Sequence, residues 1–400
     1  MDVTVREGDT LWYYSQLFNV PLQLILDSNP NVNPRFLNIG QHVSIPGYAT
    51  ENHEIQQGTP FWEIATANDL SVDTLMLVNP HVDPYRLEIG SQIEIPRRVT
   101  KSIVSWKTAY DYDQLVHDLE QLFEIYPFVK QNKIGNSVMG KPLQEMRIGR
   151  GEKKVHFDGS FHANEWTTTP IIMKFVNEYL LALTNRGTIR GLYMAPFYEE
   201  VTLSIVPMVN PDAVNLVING PPEEEPYHST VLEINNDNSD FSGWKANIRG
   251  VDLNNQFPAR WYIEARRKHQ SPAPMNYPGP EPLSEPETIA MAKLAQARDF
   301  DLILAFHSQG EVIYWGFLGY EPPASMTIVQ EYARVSGYEP IQYVDSYAGY
   351  KDWFIQEWRR PGFTVEVGIG EKPLPISQFS EIYQECLGIF LASLYLNDYA

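Results

Sequence analysis

The sequence predicts an α/β protein in which two small βααβ modules precede a larger domain with a mixed sheet. Three observations predict it. Residues 2–46 recur as residues 52–96 at a period of 50. Strand-like and helix-like segments then alternate over residues 108–400. The strand-like segments include continuous apolar runs of the kind found at a sheet centre. With 43% hydrophobic and 12% aromatic residues in 400, the chain can fill several packed cores and is wrong for a disordered protein.

The repeat comes first, because missing one misreads the whole fold. Gly8, Trp12, Asn29-Pro30, Ile39-Gly40 and Ile45-Pro46 return as Gly58, Trp62, Asn79-Pro80, Ile89-Gly90 and Ile95-Pro96. In each unit a short strand (Val3-Thr4-Val5 in the first) leads to a helix starting near Leu11, which Asp9 or Thr10 can cap. Val20-Pro21 stops that helix. Leu22 to Leu26 opens a second helix that ends before Asn29-Pro30, and His42 to Ile45 closes the unit as a strand. Trp12 and Trp62 read as core aromatics, since so small a unit needs large side chains to pack.

Gly8-Asp9-Thr10-Leu11-Trp12, Asn29-Pro30-Asn31-Val32, Ile39-Gly40-Gln41 and Ile45-Pro46 together resemble the LysM module. That resemblance implies binding to the N-acetylglucosamine-containing glycan of peptidoglycan or chitin. The second copy departs at Gly58-Thr59-Pro60-Phe61. Residues 97–107, locally basic, read as a solvated linker.

In residues 108–400, Leu115, Leu119, Leu122 and Phe123 mark a helix that Pro127 stops. Strands follow at Leu143–Ile148 and Lys154–Gly159, then a long apolar helix from Pro170 to Leu183. Val201–Pro207 is a β-branched strand, Thr288–Arg298 an Ala-rich helix, and Asp301–Phe306 a continuous apolar strand. Gly362–Val367 is a further strand, and Ser377–Leu396 is mostly helical. Such alternation gives a mixed sheet covered by helices, with ligands at the carboxyl ends of strands. Residues 219–247 and 271–286 are long loops.

Charge and cysteine content exclude several classes of function. Thirty basic against 50 acidic side chains give a net charge of −20, and no basic patch offers itself to nucleic acid. No apolar run approaches the roughly 20 residues of a membrane span. The single cysteine, Cys386, forms no disulfide framework and reads as a buried small hydrophobe in a terminal helix. Met1–Glu7 has neither a basic n-region nor an apolar h-region, so the expectation is a cytoplasmic protein.

The chemistry concentrates at three points. His162-Ala163-Asn164-Glu165 follows a strand and precedes an apolar helix, and imidazole plus carboxylate is a normal zinc pair. His307 directly follows the apolar strand ending at Phe306 and can complete a His2Glu set, whose open fourth position suits catalysis. Glu366 sits inside Phe363-Thr364-Val365-Glu366-Val367, where a carboxylate is costly unless a cation compensates it. It reads as a general base.

With Asn210-Pro211-Asp212, Arg249-Gly250-Val251-Asp252-Leu253-Asn254 and Asp352-Trp353 in the same order, the sequence resembles the zinc carboxypeptidase (carboxypeptidase A-like) family over residues 108–400. The resemblance implies one Zn2+ held by His162, Glu165 and His307, with Glu366 as general acid/base. It also implies that Asn254 contacts the substrate's terminal carboxylate.

Two departures matter. Family members that trim C-termini have an Arg after that Asn, whose fork pairs bidentately with a carboxylate. Here Asn255 takes that substrate-binding position, which puts ordinary C-terminal trimming in doubt. The family's oxyanion-stabilising Arg follows a Trp. Here Trp244 is followed by Lys245, and Arg249 is a second candidate for the role. Tyr343 and Tyr347 both lie near the place of the family's substrate-capping Tyr.

A glycan-binding pair ahead of a zinc peptidase points to peptidoglycan. By resemblance to wall-peptide endopeptidases, the expected reaction cuts the stem peptide between γ-D-glutamate and meso-diaminopimelate or L-lysine, releasing L-Ala-γ-D-Glu, with sporulating cells as the setting. A metallocarboxypeptidase of altered specificity is the first alternative, and Asn255 speaks against it. A catalytically silent wall-binding or spore-structural protein is the second, and the intact set of His162, Glu165, His307 and Glu366 speaks against that.

Overall fold

The computed structural model describes residues 1–396. The chain forms two compact units. One comprises Met1–Ile103, Asp118–Lys130 and Asn177–Pro196, and the other Val104–His117, Gln131–Val176 and the chain from Phe197 on. Among the described residues no helix is long and apolar enough to cross a membrane.

The first module runs β1 (Asp2–Thr4), α1 (Leu11–Leu17), α2 (Leu22–Ser28) and β2 (His42–Ser44). The second runs β3 (Tyr48–Glu54), α3 (Phe61–Ala67), α4 (Val72–Val78) and β4 (Gln92–Arg98). In each the two strands pair antiparallel. The repeated Asn-Pro has a physical reason. The Asn29 amide donates to the Ile25 carbonyl (2.7 Å) and the Ser44 carbonyl (2.8 Å) and accepts from the Ser44 N–H (2.8 Å). Asn79 does the same with Leu75 and with both backbone groups of Glu94. One side chain thus closes a helix end and a strand edge whose backbone groups would otherwise lack partners.

The modules are also bound to each other. Arg6 pairs with Asp73 at 2.6 and 3.1 Å, and the Tyr13 hydroxyl donates to the same carboxylate. Thr10 caps α1 through the Tyr13 N–H, whereas Asp9 is occupied by Arg6 and the Tyr14 hydroxyl. In the second module Pro60 stands at the cap position and makes no side-chain bond.

Two expectations need correction here. Trp12 and Trp62 are not core residues: they are 63% and 59% exposed. The helices bury Leu11, Tyr14 and Ser15, and Phe61, Ile64 and Ala65, so the adjacent Trp is rotated off that face. The expected linker is also shorter than residues 97–107. β3 already starts at Tyr48, and β4 runs through Arg98. Arg98 is not a solvated charge, because it donates to the carbonyls of Phe18 and Asn19 and to Thr184 at the last turn of a helix.

The larger domain follows in chain order. It opens with α5 (Tyr112–Ile125), β5 (Lys130–Asn136), β6 (Pro142–Ile148), β7 (Lys153–Gly159) and α6 (Thr168–Thr184). A small hairpin, β8 (Thr188–Ile189) and β9 (Leu192–Tyr193), leads to α7 (Ala195–Glu200), β10 (Val201–Val206), α8 (Pro211–Asn219) and α9 (Tyr227–Ile234). Then come α10 (Trp261–Arg267), α11 (Pro286–Arg298), β11 (Leu302–Ser308), β12 (Val312–Tyr314), α12 (Ala324–Ser336) and β13 (Glu339–Ile341). The chain closes with α13 (Tyr350–Trp358), β14 (Gly362–Val367) and α14 (Phe379–Tyr395). Eight strands form one mixed sheet in the order β13-β12-β14-β11-β7-β10-β6-β5. The central β14, β11, β7 and β10 are parallel, so their carboxyl ends share one edge. β11 is buried at every residue, as its apolar run requires. Cys386 is buried in α14, where burial pushes its thiol up and keeps it inert.

Candidate metal centre

β7 ends at Gly159, and a Cβ there would press on Ile172 at 2.9 Å and the Pro207 carbonyl at 3.0 Å, so glycine lets the strand end pack closely without displacing either. The chain then turns through Ser160, whose N–H donates to the Thr168 hydroxyl at the start of α6 (2.9 Å). A single 3₁₀ turn, Ala163–Glu165, places His162 and Glu165 on the same side. The turn is tied down from outside. The Ala163 N–H donates to the Lys245 carbonyl (3.1 Å), and the Asn210 amide bridges the carbonyls of Phe161 and Ala246. His307, one residue from the end of β11, arrives on the neighbouring strand.

These three side chains converge. His162 Nδ1 lies 3.0 Å from Glu165 Oε1, His307 Nδ1 lies 2.9 Å from Glu165 Oε2, and the two Nδ1 atoms are 3.1 Å apart. All three residues are buried, and among the described residues theirs is the one His/Cys/Asp/Glu group close enough to hold a metal. Two imidazole nitrogens and a carboxylate are a catalytic zinc set, with a position left for water or substrate. His162 Nε2 lies 3.3 Å from Asp252 Oδ1, so the face turned from the metal position is held by a carboxylate. Such a partner fixes the ring and raises its basicity.

Glu366 lies on β14 as the register partner of His307. Burial pushes its carboxyl up to about 7, the Glu165 charge adds to the rise, and His307, Lys372 and Lys245 oppose it. A carboxyl poised near neutrality is suited to take and return a proton.

Three lysines surround this centre. Lys245 Nζ lies 2.8 Å from Asp252 Oδ2. Burial alone would lower its ammonium, but Asp252, Glu165 and Glu366 outweigh that and keep it charged. Lys372, on the loop after β14, reaches Glu165 Oε1 at 2.6 Å. Lys268, at the end of α10, donates to Asn255 Oδ1 and lies 3.1 Å from Glu264. Of these, sequence reasoning found Lys245 alone. Asp252 was visible as part of a motif, without its role.

The other expected residues fall as follows. Arg249 is not brought to the metal set: its guanidinium is half-exposed and pairs with Glu285 at 3.5 Å. Asn254 is directed inward, with Oδ1 accepting from the Tyr350 N–H (3.0 Å) and Nδ2 lying 3.4 Å from His307 Nε2. Its amide nitrogen thus lies at the edge of the metal set, beside His307. Asn255 is buried beneath Lys268. Tyr343 and Tyr347 line a cavity of about 370 Å3 with Phe317 and Asp352. The exposed Tyr343 donates to Glu321 (2.8 Å), and the Tyr347 ring carries the Arg267 guanidinium at 5.3 Å. Asp352 accepts from the Gly349 N–H as the cap of α13, and Trp353 packs on Phe257, so that pair is structural.

Residues 115–387 match the family described as zinc carboxypeptidase. The chain belongs to the zinc carboxypeptidase family. As a member it is a zinc metallopeptidase, and its residues 3–46 and 53–96 both match the LysM domain. It is 63% identical to gamma-D-glutamyl-L-diamino acid endopeptidase 1 of Lysinibacillus sphaericus, over 99% of this chain and 100% of that one. Among solved structures it is similar to bovine thrombin-activatable fibrinolysis inhibitor in complex with tick carboxypeptidase inhibitor (TM-score 0.56, 19% identity, 72% of this chain and 97% of that one). It is also similar to carboxypeptidase A from Helicoverpa armigera (TM-score 0.55, 15% identity, 87% and 98%). These two likenesses show the peptidase fold.

Proposed function

We propose that this zinc carboxypeptidase homologue is an endopeptidase of peptidoglycan stem peptides, cutting between γ-D-glutamate and meso-diaminopimelate or lysine and releasing L-Ala-γ-D-Glu. The observation that carries the reading is a complete metal and base set, His162, Glu165, His307 and Glu366, beside a substrate position where Asn255 stands in place of arginine. The near-full-length similarity to an endopeptidase named for that bond supports it.

Bound Zn2+ supplies a Lewis acid that polarises the scissile carbonyl and acidifies water. Glu366 takes a proton from the attacking water and returns it to the leaving amine. Lys245, held by Asp252, is a preorganised cation for the developing oxyanion, a contribution of about 3 kcal/mol in comparable sites. Lys268, resting on Asn255, meets a substrate carboxylate. The bond is an isopeptide flanked by carboxylates, which a lysine-rich surround suits better than one bidentate fork.

The modules hold the glycan. A groove of about 660 Å3 in the second module is lined by Trp62, Val72, Met76, Tyr85 and Ile89. Trp12, Phe36 and Ile39 are likewise exposed on the first. Flat aromatic faces with apolar neighbours are suited to sugar rings.

The test is mass spectrometry of L-Ala-γ-D-Glu-meso-diaminopimelate after incubation with the zinc-loaded protein, with Glu366→Gln as control. Release of L-Ala-γ-D-Glu by the wild type alone is the expected result. The Lys268 ammonium at Asn255 is the one feature that favours a carboxypeptidase instead. That reading wins if the tripeptide is left intact while ordinary peptides lose a C-terminal residue.

A further inference from the structure

At the amino ends of the central strands the sheet carries a second polar cluster. Side chains two apart share a face. Glu145 and Arg147 on β6, Thr202 and Ser204 on β10, and Lys154 and His156 on β7 therefore form one patch. The register agrees, since Ser204 opposes Arg147 and Thr202 opposes Lys154. The last turn of α11 and Phe300 cover the patch, leaving a cavity of about 250 Å3 lined by Arg147, Lys154, Thr202, Ser204, Arg298 and Phe300. His162 and His307 lie at the opposite, carboxyl ends of β7 and β11.

The charges around this cavity do not balance. Arg298 is fully engaged, with its guanidinium on Glu145 at 2.6 and 2.9 Å, and Glu145 also accepts from the Ser204 hydroxyl (2.8 Å). The side chains of Arg147 and Lys154 have no hydrogen bond or ion pair among the described residues, and Arg147 Nε is buried without an acceptor. The Asp301 carboxylate near Lys154 is turned to its backbone N–H (2.8 Å). Two unpaired cations thus face one half-open space in a chain of net charge −20. A buried donor without a partner is costly and calls for an occupant.

We propose that this cavity is a binding site for a small dianion of the phosphate class. Once Glu145 has neutralised Arg298, Arg147 and Lys154 remain as the cationic side chains lining the cavity, which suits an oxyanion able to carry two charges. The free Nε edge of Arg147 suits paired oxygens. The Lys154 ammonium supplies a point charge on β7, across β10 from Arg147.

Isothermal titration of the zinc-loaded full chain with inorganic phosphate tests this. One site is expected, weakened at least tenfold in Arg147→Leu and in Lys154→Leu, and retained in His162→Ala, which removes a metal ligand. Glycerol 1-phosphate in a parallel arm shows whether the site takes a monoester or the free ion, and either result supports a phosphate site. In the wild type, phosphate should slow acetylation of Lys154 at least fivefold, a readout that does not depend on a variant folding. Absence of binding, binding unchanged by both substitutions, or binding lost only with the metal ligand would overturn the proposal.

Discussion

At the metal centre His162, Glu165 and His307 are at most 5% exposed, whereas Trp12 and Trp62 of the modules are 63% and 59% exposed. The two regions place their ligand-facing groups in opposite environments. Buried polar groups survive only if each is compensated, and here Asp252, Lys372 and Lys245 provide that compensation. Electrostatic interactions are strong in such surroundings, so single changes at the centre should have large effects. An exposed Trp has no part in the module's core. Its removal should alter binding by a modest factor and leave folding intact.

The largest expected effect follows from that contrast. Glu366→Gln should retain zinc, as measured by atomic absorption, and lose about 10²–10⁴-fold in kcat, the range typical of a general acid/base. His162→Ala or Glu165→Ala should lose the metal and the activity together. Loss of zinc in Glu366→Gln would move that residue from proton transfer to metal binding and break the assignment. Lys245→Ala comes next, with about 10²–10³-fold lost from kcat at nearly unchanged KM, if it meets the oxyanion. A change confined to KM would mean that Lys245 binds the ground state instead.

The pH profile sharpens the same comparison. Glu366 must be ionised to accept a proton. Its folded value is raised to about 7, so kcat/KM should fall as pH drops through that limb. Bound Zn2+ adds positive charge and draws the limb of the loaded enzyme below about 7. Lys372 lowers the Glu366 value, so Lys372→Met should move the limb to higher pH. A limb that stays in place would show that the ammonium leaves the site when the metal is present.

Legibility in the sequence follows burial as well. His162, Glu165 and His307 could be read because each lies where an apolar strand ends, and Glu366 because a carboxylate interrupts a β-branched run. Lys268 and Lys372 could not. They reach the centre from the end of α10 and from a loop, and no spacing says which way such long side chains point. The edge strand Lys130–Asn136 lacks apolar alternation because it is half solvated, so it too gave no signal. The module tryptophans were misread despite a usable pattern. Burial at Leu11, Tyr14 and Ser15 follows helical spacing, which turns position 12 about 100° away from that face. Hydrophobicity of the residue outweighed the period.

Selectivity for carboxylates separates Lys268 from Lys245 and Lys372. Its ammonium is shared with Glu264 and lies at the substrate position, not at the scissile carbonyl, so its effect should be smaller than that of Lys245. Lys268→Met should raise KM about tenfold for the free-carboxylate tripeptide, the order of one charge-assisted contact, and little for the same peptide with its carboxylates amidated. Equal losses on both substrates would reduce Lys268 to a counterion of Glu264.

The smallest effects belong to the modules, where the two copies can be set against each other. Trp62 lines a groove of about 660 Å3 together with Tyr85 and Ile89, whereas Trp12 stands on a helix capped by Thr10. Trp62→Ala should weaken binding to chitin oligomers by roughly fivefold, about 1 kcal/mol for a lost aromatic platform. Trp12→Ala should weaken it less. Neither should shift the melting temperature by more than about a degree or two, because an exposed side chain contributes little to folding. Cleavage of a soluble tripeptide should be unaffected by both, while digestion of intact peptidoglycan slows. If Trp12→Ala proves the more damaging, the shape of the second groove is not what sets affinity, and the Gly-Asp-Thr-Leu-Trp turn of the first module is.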